Sequence, residues 1–312
     1  MRVAAQLIDA ATDVHLWADS FDGSLEDIFE LQDKVAISVA GVIEPALQAA
    51  EIRRSSLTPK NNLTSYDLYL RALSDFPACE RDRLVRGLAL LDQAIAHDPN
   101  YAPALALAAA YRIELENHGW IEDSESNRAI AVELARTALR IGSDDPNVLG
   151  RAAVALGRFG EDIDAAVALI DRALVLNTSF ADCWYWSGWL RLFAGRADLA
   201  IEHFEASMRL NPRAGRGFHL AGIGTAHFIN RGFENAAAML RASLEELPSF
   251  TPTHRTLASC YAHMGRLDDA RAIVQRLRLL TPYVVPTIQL FRDPRHRELF
   301  LSGLRLAAGE RD

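Results

Sequence analysis

Lysine is nearly missing from this chain: only Lys34 and Lys60 stand among its 33 basic residues, against 41 acidic ones, for a formal net charge of −8. That balance excludes charge-driven binding of nucleic acid, which needs an excess of phosphate-neutralising cations. Arginine at nearly every basic position, with heavy use of alanine, suggests a GC-rich bacterial gene. Cysteine is scarce too. Cys79, Cys183 and Cys260 are too far apart for a zinc pattern or a disulfide framework, and read as small buried apolar groups in a reducing compartment. Long apolar runs are also lacking. The longest, residues 102–111, is about half the length of a membrane span. Gln6, Asp9 and Asp13 interrupt the early apolar residues, so no signal peptide is legible. The expectation is a soluble, cytoplasmic chain with no membrane segment.

Catalytic patterns are missing as well. There is no G-x-x-x-x-G-K-[ST], no H-E-x-x-H and no G-x-S-x-G. Gly222 and Gly224 form a G-x-G with no third glycine, which reads as small residues at a helix contact. Paired acids such as Asp268 and Asp269 fall at helix starts, where the dipole favours them. The histidine pairs His219/His227 and His254/His263 lie 8 and 9 residues apart, spacings that do not bring two ligands to one height on one helix face. No catalytic residue, no metal site and no cofactor are expected.

What is present is a period. Proline or a turn residue closes an apolar, helix-like segment at Pro99, Ser143, Thr178, Pro212, Pro248 and Pro282, at intervals of 44, 35, 34, 36 and 34 residues. Within residues 181–212, Trp184, Gly188, Ala200, Phe204 and Pro212 alternate large, small, small, large and turn. Ala236, Leu240 and Pro248, then Gly265, Ala270, Val274 and Pro282, repeat the pattern. Ala131, Ala135 and Ala138, then Ala166, Ile170 and Ala173, fill the same positions upstream. The pattern resembles the tetratricopeptide repeat, a 34-residue pair of antiparallel helices A and B. Small residues let A and B approach while bulky ones fill the space between them, and stacking of neighbours makes the core.

The resemblance implies an all-α solenoid of about six hairpins over residues 63–282. The 44-residue interval holds a polar stretch at residues 117–126, read as a lengthened loop inside one repeat. Asp145 and Pro146 read as an N-cap and first helical residue. Gly160, Gly195, Gly232 and Gly265 fall where helix A must stop and turn.

Two flanks do not repeat. Residues 283–312 read as an extended piece followed by an amphipathic helix over residues 294–308, a cap on the last repeat. Residues 1–60 read as a hairpin followed by a long helix that begins at Ser24 and contains Pro45. A lone hairpin is marginal in water, so this piece looks like part of an α/β module whose other strands come from elsewhere. Self-association through these strands, giving a homo-oligomer, is one expectation.

The runs Arg2-Val-Ala-Ala-Gln-Leu-Ile-Asp9, His15-Leu-Trp-Ala-Asp19 and Leu25-Glu-Asp-Ile-Phe-Glu-Leu-Gln-Asp33 carry a second resemblance. So do Tyr66-Asp-Leu-Tyr-Leu-Arg-Ala72 and Phe291-Arg-Asp-Pro-Arg-His296. Together they are similar to bacterial multidomain regulators in which a TolB-like module links an effector domain to carboxy-terminal tetratricopeptide repeats. The effector is a class III adenylate/guanylate cyclase or a winged-helix DNA-binding domain. The resemblance places a cyclase's metal-binding aspartates and transition-state arginine nowhere in this chain. It implies a protein-interaction scaffold, the sensor or docking region of a signalling regulator, and the alternative is part of a cyclase.

In the repeat family, certain helix-A positions face a concave groove. They map to Asp182, Tyr185, Trp189, Leu192 and Phe193, then Arg216, His219 and His227, then Arg255 and His263, with Arg151 or Arg158 from the preceding unit. Such a groove, with an aromatic floor and cationic walls, suits an acidic or carboxylate-ended peptide. The other reading is that Tyr185 and Trp189 pack on the neighbouring repeat and the histidines lie at the surface.

Overall fold

The structure, a computed structural model, describes residues 2–9, 13–22, 28–59, 63–121, 124–159, 162–212, 215–286 and 291–310. Strands β1 (Arg2–Asp9) and β2 (Val14–Asp22) pair antiparallel, with a register shift between Leu7 and Ile8. Their inner face, Val3, Ala5 and Leu7 around buried Phe21, packs on Val35 and Val39 of helix α1 (Ile28–Leu57). The start of α1 expected at Ser24 lies outside the described residues. Pro45 is inside the helix.

Six helical hairpins follow among the described residues. They are α2 (Ser65–Asp75) with α3 (Arg81–His97), α4 (Ala102–Asn117) with α5 (Ser124–Ile141), and α6 (Pro146–Phe159) with α7 (Ile163–Leu176). Next come α8 (Ala181–Phe193) with α9 (Ala197–Leu210), α10 (Arg216–Ile229) with α11 (Phe233–Glu246), and α12 (Thr251–His263) with α13 (Leu267–Leu280). Each helix packs on its hairpin partner and on the next hairpin, and α14 (Pro294–Ala308) packs on α12 and α13. Among the described residues no helix is long and apolar enough to cross a membrane.

The packing follows the small-large alternation. A Cβ at Gly188 would lie 2.7 Å from the Phe204 ring, and one at Gly222 would lie 2.4 Å from it. Glycine at both positions lets α8 and α10 close on one phenyl ring of α9. Ala200, Phe204, Ala236, Leu240 and Ala270 are all fully buried in one cluster. The N-cap at Asp145 forms, its Oδ1 accepting from the Asn147 N–H at 2.8 Å. Gly195 and Gly265 take left-handed φ values of 83° and 75°, as the A-helix stops require. The α10–α11 turn differs: Gly232 has a φ of −80°, and Arg231, one residue earlier, takes the left-handed value of 61°. Gly160 lies outside the described residues. The three cysteines are buried, and among the described residues none forms a disulfide.

The array closes on itself. Cys79, after the first hairpin's A helix, packs with Ala221 of α10 and with Phe250, which caps α12. Helix α1 is tied to α2, where Ser55 Oγ donates to the Asp67 carbonyl and Arg71 Nη2 donates to the carbonyls of Ser55 and Thr58. The long α4–α5 loop is a clasp to the other end of the array. The Asn117 carbonyl accepts from Arg255 Nη1 at 2.6 Å and from Thr251 Oγ1 at 3.2 Å. His118 stacks on Trp120 at 4.3 Å, and the Trp120 indole N–H donates to the Leu280 carbonyl.

Candidate functional site

Closure turns the concave face into a chamber of about 450 Å³. The A helices of all six hairpins contribute to its wall, with Pro45 and Gln48 of α1 on one side and Pro286 and Phe291 of the α13–α14 connector on another. The connector is held across the array by main-chain bonds. Arg255 donates from Nε to Val284 and from Nη2 to Tyr283, while the Arg292 N–H donates to the Phe193 carbonyl and Arg292 Nη2 to the Gly157 carbonyl.

Six of the nine groove residues expected from the sequence meet here: Asp182, Tyr185, Trp189, Phe193, His219 and Arg255. Arg216 is exposed and paired with Glu246, and among the described residues neither it nor His227 lines the chamber. His263 lies under the cap, its Nε2 donating to the Leu299 carbonyl and its ring stacked on Phe233. Leu192 is in the core. Arg255, 4% exposed, directs its donors to its own chain, so it braces the wall rather than offering a free fork. Arg151 and Arg158 both line the chamber.

Sequence reasoning missed Glu114 and the clasp itself, since Arg255 read as a groove residue and residues 117–126 as a lengthened loop. Glu114 sits near the end of α4, outside the groove positions carried over from the family, and only the lengthened loop after it marked the region as unusual.

Two cation–anion couples face the space. Arg151, 6% exposed, lies over Trp186 at 4.8 Å and Phe76 at 5.6 Å, and its Nε donates to Asn147 Oδ1. Asp182 stands near it, its side chain open to the chamber, and desolvation inside the enclosing wall pushes its carboxyl above the ordinary range. Arg158, also 6% exposed, donates from Nη2 to Asn117 Oδ1, while its Nη1 has no partner. Burial lowers the Arg158 guanidinium to about 10, still protonated at neutral pH. Glu114 faces it with Oε2 buried and unpartnered. Among the described residues neither couple closes into an ion pair. His219, near Asp182 and edge-on to Tyr185, donates from Nδ1 to the Gly215 carbonyl, and burial lowers its pKa. No group of three or more metal-ligating side chains occurs among the described residues.

Burial pushes the Glu114 carboxyl from its ordinary 4.5 to about 7, against the opposing pull of Asn117 and Arg158. The folded state therefore holds a proton that the unfolded chain releases. Stability falls as pH rises from the ordinary value through about 7, by an amount on the order of 3 kcal/mol. Glu114→Gln is expected to raise the melting temperature at pH 8 and leave it unchanged at pH 4.5. Equal melting temperatures at pH 8 would show that the carboxylate is solvated in the fold.

With fold and chamber described, the class of fold is plain: the hairpins build a solenoid of the tetratricopeptide-repeat type. The family model described as Tetratricopeptide repeat matches residues 231–282. The chain is 30% identical over 149 residues to “Putative adenylate cyclase 3” of Rhizobium meliloti (strain 1021), covering 47% of this chain and 25% of that one. It is 29% identical over 183 residues to “Transcriptional regulator HilA” of Salmonella typhimurium, covering 58% of this chain and 32% of that one. The chain thus spans about a quarter to a third of the length of the curated relatives it matches. Among solved structures, an IFIT1 monomeric mutant with Gppp-AAAA superposes with a TM-score of 0.60 at 14% identity, over 84% of this chain and 62% of that one. The APC/C hetero-tetramer Cut9-Hcn1 gives 0.53 at 14% identity, over 85% and 49%. At such identities these structures share the fold with this chain.

Proposed function

We propose that this chain is a protein-interaction scaffold, the docking region of a bacterial signalling regulator, whose concave face receives a carboxylate-ended segment of a partner. The observation that carries it is the convergence of Tyr185, Trp189, Phe193, His219 and two incompletely bonded arginines on one concave chamber. Aromatic walls take an apolar side chain, and a guanidinium takes a carboxylate through paired N–H donors. On this reading residues 1–60 are a linker module, with the hairpin resting on α1 and α1 braced against the first repeat. The match to a cyclase and to a transcriptional regulator supports the repeats as a shared part of regulators with different effectors. A second reading, favoured by the first of these, is that the chain is the non-catalytic part of an adenylate cyclase.

A peptide array tests docking, with each sequence presented both with a free carboxyl end and amidated. Peptides that bind should need the free carboxylate, and Tyr185→Leu should weaken them about tenfold, the worth of one well-packed aromatic contact. Binding indifferent to both amidation and Tyr185→Leu would sink the proposal.

A further inference from the structure

The two couples in the chamber pose a physical question. Opposite charges in a low-dielectric interior gain most by closing into direct pairs, and buried unpartnered polar atoms are costly. Yet Arg151 is fixed away from Asp182. Its Nε is tied to Asn147 and its guanidinium plane is held by Trp186 and Phe76, while among the described residues its terminal nitrogens make no hydrogen bond. Asp182 is exposed to the chamber and, among the described residues, makes no hydrogen bond or ion pair. A donor fork and a carboxylate are therefore held open, side by side, on α6 and α8.

The surroundings say what fits between them. Tyr185 and Trp189 lie one and two helical turns along α8 from Asp182, so their rings line the wall beyond the charged couple. Arg158 lies seven residues beyond Arg151, roughly 10 Å farther along α6. The polar couple at the α8 start and the aromatic wall together match a head carrying both charges and an apolar body. The volume falls within the roughly 300 to 1,000 Å³ of small-ligand pockets.

We infer that the chamber binds a free α-amino acid with a large apolar side chain, its carboxylate on Arg151, its ammonium on Asp182, and its side chain against Tyr185 and Trp189. This rests on the concave chamber being the recognition site, and adds a small molecule that the docking region would sense. A peptide's carboxyl end offers the same carboxylate but no α-ammonium, so Asp182 separates the two sources.

The experiment is calorimetric titration of the full chain with L-phenylalanine, L-tryptophan and L-leucine, beside their N-acetyl and amide derivatives. Only the free zwitterions should bind. Asp182→Asn, isosteric at a side chain without a hydrogen bond, should fold normally and weaken them about tenfold or more, the worth of a charged hydrogen bond. N-acetyl forms binding as well as the free amino acids would overturn the amino-acid assignment while leaving the carboxylate-ended peptide reading intact. No heat with any of the three amino acids would overturn it as well, and the peptide array then decides docking independently.

Discussion

Phe204→Ala should lower the stability of the chain by about 3 to 5 kcal/mol, the range for deleting a wholly buried aromatic ring. The ring has no exposed surface and lies between two helices whose closest residues, Gly188 and Gly222, have no side chain. Tyr185 and Trp189 approach it with ring centroids at 5.8 and 5.6 Å. Neither glycine can supply atoms to the space that alanine would leave. Closing it would need α8 and α10 to move together, against the contacts of each with its other neighbours. The cavity should persist, and chemical denaturation would read the loss directly. A Gly222→Ala change alone should also destabilise, because its methyl group would meet the ring. In the double variant the methyl enters the vacated space, so the two losses should sum to less than their separate values. Strict additivity, or a loss below about 1 kcal/mol for Phe204→Ala, would mean the hairpins repack freely.

The second large effect is expected at Arg255. Arg255→Met removes donors to the carbonyls of Asn117, Tyr283 and Val284, and a contact to Thr251 Oγ1 at 3.2 Å. Breaking a buried charged network on one side costs about 3 to 5 kcal/mol. Solenoids are stabilised mainly by nearest neighbours. Arg255 is different because it joins the second hairpin, the sixth and the connector to the cap. Losing it should broaden or split the unfolding transition, since the two ends no longer report on one another. Trp120, one of five tryptophans, gives an optical readout as the emission difference from a Trp120→Phe control: its indole N–H is bound to the Leu280 carbonyl and its ring stacks on His118. Its emission should shift to the red early in the unfolding of Arg255→Met. Arg255→Lys should recover little, because one ammonium cannot reach three carbonyls spread around a planar fork. A single, unbroadened transition with unchanged Trp120 emission would show that the clasp contributes nothing to cooperativity.

Two buried histidines, His118 in the clasp and His203 on α9 beside Trp184, carry a proton-linked cost of the opposite sign to that of Glu114. Burial, with Arg255 nearby, lowers the His118 pKa to about 3, and burial lowers that of His203 to about 4. Both are neutral in the fold, so their contribution is lost as pH falls below the ordinary histidine range.

The hairpins were legible in the chain because each rule that makes them is local. Small residues set opposite large ones fix how closely A and B pack, and a turn residue about every 34 positions fixes where the next pair begins. The 3.6-residue period marked α14 over its full length, and the Asp145 cap marked the start of α6. Local conformation was less sharply written in the α10–α11 turn, where Arg231 rather than Gly232 adopts the left-handed backbone, because either residue can end a helix when its carbonyls are capped. The candidate site was legible only as a set of positions. The resemblance to the repeat family placed Asp182, Tyr185, Trp189 and His219 at groove positions, but it could not say that Arg216 would turn outward to Glu246 or that His263 would lie beneath the cap. What only the tertiary structure decided was closure. The polar stretch after Asn117 is a surface loop by every local signal, and becomes a clasp because the superhelical path brings the second hairpin to the sixth. That path is a sum of small rotations between neighbours, set by side-chain shape at each interface, and no single segment encodes it. Closure turned Arg255 from a groove residue into a brace, left Arg151 and Asp182 facing one another unjoined, and made an open concave face into a chamber.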